Sequence, residues 1–152
     1  MKYIKLYKGQ LAIVDDEDFK LANNYKWYMN KRGYVKGMIG DTTKSLHRII
    51  MGEPSGNVDH INGNKLDNRQ SNLRICNQSQ NCANSKIPKN NTSGYKGVHW
   101  NKALKKWQSY IMVRRKRIHL GYFYIREQAG KAYNDAAVEY FGEFARLNNI
   151  KK

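Results

Sequence analysis

Across 152 residues the chain carries 28 Lys and Arg against 12 Asp and Glu, a formal charge of +16 at neutral pH. Binding a polyanion releases its counterions, so this excess points first to a nucleic-acid partner and makes a merely solvated basic surface the weaker reading. No apolar run approaches the roughly 20 residues that cross a bilayer, and the opening MKYIKLYKGQ lacks the apolar core of a signal peptide, so no membrane association and a cytoplasmic location are expected. Cys76 and Cys82 are too few for a disulfide framework and lack zinc-finger spacing, so both are read as reduced thiols.

The first elements read as short strands: Tyr3 to Leu6, Leu11 to Val14, Tyr25 to Tyr28 and Tyr34 to Ile39, the last two joined by a turn at Lys31-Arg32-Gly33. Between the second and third, DDEDFKLANN is acidic at its start and predicts a short helix with its carboxylates at the positive end. Residues 52 to 92 are rich in Asn and in turn formers, and composition alone reads them as loop. The stretch Ile87 to Ser93 has linker character and places a domain boundary, giving domains 1-88 and 89-152. Beyond it come strand-like runs at Gly94 to Trp100, Trp107 to Arg114 and Arg117 to Phe123, which predict a three-stranded meander. Ala129, Ala132, Tyr133, Ala136, Ala137 and Tyr140 then recur at helical spacing, predicting a helix from about Arg126 to Phe141 that ends at Gly142. Residues 89 to 152 hold 14 Lys and Arg against 4 Asp and Glu, so this half, at +10, is the stronger phosphate-seeking surface.

The Asn-rich segment contains the set most suggestive of chemistry. Phosphodiester cleavage requires an activated water, a Lewis acid for the charge that builds on phosphate, and groups that orient both. Val58-Asp59-His60-Ile61-Asn62-Gly63-Asn64, continuing through Asp67-Asn68-Arg69 and Ser71-Asn72-Leu73-Arg74 to Asn81, resembles the HNH nuclease family in its H-N-N form. The resemblance covers about residues 46 to 86 and implies a ββα-metal core. It makes His60 the general base, a task that suits an imidazole near neutral pH. It makes Asp59 a metal ligand, Asn72 a loop-fixing residue that helps orient His60, and Asn81 the second protein ligand. Asn77 and Asn84 lie close enough in sequence to leave that last position open. One carboxylate and one amide oxygen imply Mg²⁺, with Mn²⁺ as a substitute, rather than zinc. His47 and Arg48 resemble a His-Arg pair found upstream of the signature in many of these nucleases. His47 is read as either catalytic or a core histidine, and Arg48 and Arg74 as candidate phosphate contacts.

In the second half, Gly94-Tyr95-Lys96-Gly97-Val98, Trp107, Leu120-Gly121-Tyr122-Phe123, Glu127-Gln128-Ala129, Ala132-Tyr133-Asn134, Ala136-Ala137, Gly142 and Leu147-Asn148 resemble the AP2 DNA-binding domain over about residues 93 to 149. That likeness implies a sheet that enters the major groove with a helix behind it. Its DNA-facing positions fall at Lys96, His99, Asn101, Tyr110, Met112, Arg117 and His119, while Arg114, Arg115 and Lys116 suit phosphate contacts. Trp107 and Phe123 are expected beneath the helix, and Ile125 departs from the small hydroxyl residue that commonly caps it.

The sequence therefore predicts an α+β protein. A β-rich start carries a ββα-metal nuclease module, and an AP2-like three-stranded antiparallel sheet packed on one helix follows. The function implied is a Mg²⁺-dependent, site-recognising endonuclease of double-stranded DNA, strand-nicking and of phage homing type, acting as a monomer in a phage-infected bacterial cytoplasm. The competing reading is a non-catalytic DNA-binding regulator that keeps the nuclease half as scaffold.

Overall fold

The computed structural model describes residues 1–150. The chain is a mixed α/β protein with several small antiparallel sheets, and it forms two compact units, Met1–Asn77 and Gln78–Lys152.

The first unit opens with a hairpin of β1 (Lys2–Lys5) and β2 (Leu11–Val14). Helix α1 (Asp16–Asn23) follows directly. Its first turn holds Asp16, Glu17 and Asp18, as the macrodipole favours, but Asp15 at the cap makes no side-chain capping bond. Strands β3 (Trp27–Met29), β4 (Val35–Ile39) and β5 (Thr42–Ser45) form a meander in that order. The five-residue helix α2 (Leu46–Ile50) continues from β5. Ile4, Leu6, Ala12, Val14, Ala22, Trp27, Val35 and Leu46 make the core of this unit. Strand β6 (Asn57–His60) then pairs with β7 (Leu73–Cys76), so the Asn-rich stretch that composition reads as loop is opened and closed by a ladder.

The second unit begins with α3 (Gln78–Ala83), which the sequence reading groups with the first domain. Strands β8 (Val98–Asn101), β9 (Lys106–Val113) and β10 (Lys116–Phe123) form the expected meander, with β9 in the middle. The first of these is shorter than predicted. Residues ahead of it turn around Ser93, whose Oγ donates within reach of the Tyr95 and Val98 carbonyls. Helix α4 (Arg126–Phe141) matches its predicted span, and Gly142, at φ 51°, ends it. The helix buries Ala129, Tyr133, Ala136 and Ala137 against the sheet, with Ile111 in the same cluster and Trp107 and Phe123 partly buried alongside. Small residues on this face let the helix lie close, as their spacing predicts. After the helix, Asn134 and Asn148 clasp the chain through bonds of 2.9 and 2.7 Å, and the Asn148 amide also bonds the Lys96 backbone.

Gly97 sits where no side chain fits: its φ is +75°, and a Cβ would lie 2.1 Å from the Tyr133 ring and 2.5 Å from the Tyr110 carbonyl oxygen. Gly9, at φ +82°, has nothing within 4 Å. Gly97→Ala should therefore destabilise the protein by more than about 3 kcal/mol, through a left-handed alanine and a displaced ring together, while Gly9→Ala costs about 1 kcal/mol from the backbone alone. Urea unfolding of the two variants checks this, and equal costs would contradict the packing described.

Candidate active site

Strand β6 ends on the two residues singled out by sequence. Both are buried, Asp59 with 8% of its surface exposed and His60 with 3%. Asp59 is the register partner of Arg74 across the hairpin, and Arg74 donates from Nε and Nη2 to Asp59 Oδ2 at 3.3 and 3.1 Å. Burying a carboxylate without such a partner would be strongly unfavourable. The Arg74 guanidinium is therefore engaged with Asp59.

His60 packs with a second buried histidine. The ring of His47, 6% exposed on α2, stands 5.0 Å from it edge-on, and Tyr34 lies 5.3 Å from His47 and 6.1 Å from His60. His60 Nε2 is 3.3 Å from Asn68 Oδ1. Because Asn68 turns its amide nitrogen toward the Lys65 carbonyl, its oxygen is the group that faces the imidazole. The neutral ring that satisfies this contact carries its hydrogen on Nε2 and its lone pair on Nδ1. Burial lowers the His60 pKa from its ordinary value, opposed in part by the Asn68 bond and by the Asp59 charge. Burial pushes His47 down to about 3, with His60, Arg48, Lys36 and Lys65 adding to the effect. Its Nδ1 has no hydrogen-bond partner among the described residues.

The loop between β6 and β7 is held by amides. Asn72 donates from Nδ2 to the Asp67 carbonyl at 2.8 Å and accepts at Oδ1 from the Asn62 amide at 3.0 Å, while its own carbonyl takes Ile61 N–H. It thus closes the loop that follows His60. Asn68 is fully buried, and its N–H bonds the Ile13 carbonyl of β2. Asp15 and Asp18 accept from Gln70, so the acids at the start of α1 also grip this loop, a use that the capping argument does not contain. Arg69 holds the Asp67 carboxyl below the usual carboxylate range. Tyr34, Asn68 and Asp67 are site residues that sequence reasoning missed. Asp67 and Asn68 lay inside the quoted motif, but nothing in their spacing separates them from turn formers.

Other predicted residues are placed differently. Arg48 donates to the Gly56 and Pro54 carbonyls and so shapes the turn before β6. Asn81 lies on α3, in the second unit. Lys96 Nζ donates to the carbonyls of Cys82, Ala83 and Ser85, closing the C-terminal end of that helix, and burial lowers its pKa to about 8. On the sheet, Tyr110 meets the His99 ring at 5.4 Å and the Arg117 guanidinium at 4.4 Å, and His119 meets Tyr122 at 4.6 Å. Met112 is exposed, and Asn101 Oδ1 accepts from Leu104 N–H in the β8–β9 turn.

Among the described residues no group of three or more His, Cys, Asp and Glu side chains is placed to hold a metal. The carboxylate of Asp59 is a hard oxygen donor, a chemistry that fits a hard divalent cation whose remaining positions go to water and phosphate. Among the described residues no helix is long and apolar enough to cross a membrane.

Residues 45–83 match the family model described as HNH endonuclease. An HNH endonuclease of Acanthamoeba polyphaga mimivirus, itself uncharacterized, is 37% identical over 152 residues, covering 94% of this chain and 77% of that protein. Protein 3.8 of Escherichia phage T7 is 35% identical over 90 residues, covering 59% of this chain and 74% of that one. No solved structure matches. The chain belongs to the HNH endonuclease family, whose nucleases generally depend on a divalent metal.

The buried histidines make stability depend on pH. His47 is neutral in the folded chain down to about pH 3 but protonates near 6.5 when unfolded. Its contribution is therefore complete above pH 6.5 and is lost as pH falls through the window from 6.5 toward 3. Between pH 6.5 and 5 the unfolding free energy should drop by about 2 kcal/mol through this group alone. Denaturant unfolding at the two pH values checks this, and His47→Phe should flatten the dependence. An unchanged slope in that variant would show that His47 is solvated.

Proposed function

We propose that the chain is a Mg²⁺-dependent, site-recognising endonuclease that nicks double-stranded DNA, with His60 as general base. The observation that carries this reading is the buried His60 beside Asp59 on the last two residues of β6, its Nε2 directed at Asn68. In this reading Nδ1 accepts the proton of the attacking water, whose oxygen bonds to phosphorus as the bond to the leaving sugar oxygen breaks. Asn68 and Asn72 keep the ring and its loop in place, and His47 packs against the ring as a positioning residue. Asp59 would hold the ion, Mg²⁺ or in its place Mn²⁺, through its carboxylate. When bound, the ion supplies Lewis-acid stabilisation of the charge developing on phosphate and leaving group.

The second half, residues 89-152, is proposed as an AP2-like reader. Support comes from its three-stranded sheet backed by one helix and from the cluster of Tyr110, His99 and Arg117 with His119 and Met112 on β9 and β10. Arg114, Arg115 and Lys116 would meet phosphates. One active site per chain makes a nick the product of each encounter. Both similar proteins named above are viral, which supports a phage or viral origin; the mobile, homing-type role rests on the family resemblance.

Supercoiled DNA incubated with the protein should be converted to the open-circular form in Mg²⁺ and remain intact in EDTA. His60→Ala should cut slower by about 10² to 10⁴, the range of general-base contributions. If wild type and variant both bind DNA and neither cuts, the regulator reading replaces this one.

A further inference from the structure

A cleft of about 880 Å³ lies within the second unit, where β9 runs on past the end of its pairing with β8. Pairing between those strands spans only Lys106 to Ser109 of β9, leaving the later residues of the strand beside the cleft. Tyr110, Met112 and Phe141 give it an aromatic and apolar lining, and Lys86, Arg114 and Arg115 line it with positive charge. No acidic residue is among those that line it.

The two arginines are held in an unusual way. Val113 and Lys116 are register partners, so Arg114 and Arg115 are the whole loop between β9 and β10, and their φ values are +48° and +66°. Two consecutive left-handed residues define the tight hairpin turn for which Asn-Gly is the preferred pair, and a side chain with a Cβ is strained at both positions. Strain of this kind persists where the side chains serve another purpose.

We propose that this cleft binds an unpaired DNA strand, with base faces against its aromatic lining and phosphates on Arg114, Arg115 and Lys86. The inference rests on DNA being the substrate. A duplex stacks its base faces on one another and offers only base edges, sugar and phosphate, leaving the aromatic lining without a π-face to meet. An unpaired strand offers both the π-faces and the charge that the cleft complements, and the volume suits a small ligand such as a nucleotide.

The test is fluorescence anisotropy of the full chain in EDTA, using a labelled oligothymidine of about 12 nucleotides and, separately, a duplex. Replacing the turn, Arg114→Asn with Arg115→Gly, should raise Tm by several degrees while weakening oligothymidine binding about tenfold. The slope of log affinity against log salt should fall by about 1.4, the loss of two single-strand phosphate contacts. Lys86→Gln should weaken oligothymidine binding and leave duplex binding unchanged. Unchanged oligothymidine binding in both variants, or equal weakening of both DNAs by Lys86→Gln, would overturn the proposal. So would a turn replacement that lowers Tm, since the strain argument would then be wrong. Nicking is read separately in Mg²⁺, so failure of the nuclease assignment leaves these binding results standing.

Discussion

Burying the end of β6 is the constraint from which the site follows. Asp59 and His60 are polar, adjacent and almost without exposure, and a chain can keep them so only by supplying partners. Arg74 is supplied by the opposing strand, at the register position where its guanidinium meets the carboxylate. Asn68 is supplied by the loop, and the loop is in turn fixed by Asn72, Asp67 and the backbone of β2. Such a network is costly when half-satisfied and rigid when complete, which is the property a site for water activation requires. The same burial that demands these bonds also lowers the pKa of the imidazole, favouring the neutral ring that can accept a proton.

The second unit solves a different problem. Its large positive charge has to be displayed, and the sheet does so by turning one face of β9 toward α4 and leaving Tyr110 and Met112 away from the helix cluster. Not every cation is displayed. Lys96 is drawn in to the end of α3, where its Nζ donates to the carbonyls of Cys82, Ala83 and Ser85, and the burial lowers its pKa. A helix of only six residues, α3 depends on such contacts rather than on its own hydrogen bonds.

Periodicity made the second half legible. Helix α4 and the strands of the meander have spacings of 3.6 and 2 residues that survive in the sequence, and their bounds fell within a few residues of the structure. The first half was less transparent. β5 and α2 are too short to show a period, so Thr42–Ser45 and Leu46–Ile50 went unassigned. The motif residues Asp59, His60 and Asn72 were legible as a set and not as geometry. Asn68 and Asp67 look like turn formers because that is also what Asn and Asp do locally. The hydrogen bonds of Arg48 and Arg74 were hidden for a related reason: an arginine's partners are decided by what the fold brings to it, and here they include Pro54, Gly56 and Asp59.

The proposed chemistry of His60 turns on one proton. Nitrogen-15 NMR of the full chain labelled at histidine, with His60→Ala to assign the signals, reports the state of that ring at pH 7. A neutral imidazole with hydrogen on Nε2, leaving Nδ1 as the base, is the expected result. An imidazolium, or a ring with its hydrogen on Nδ1, would contradict it.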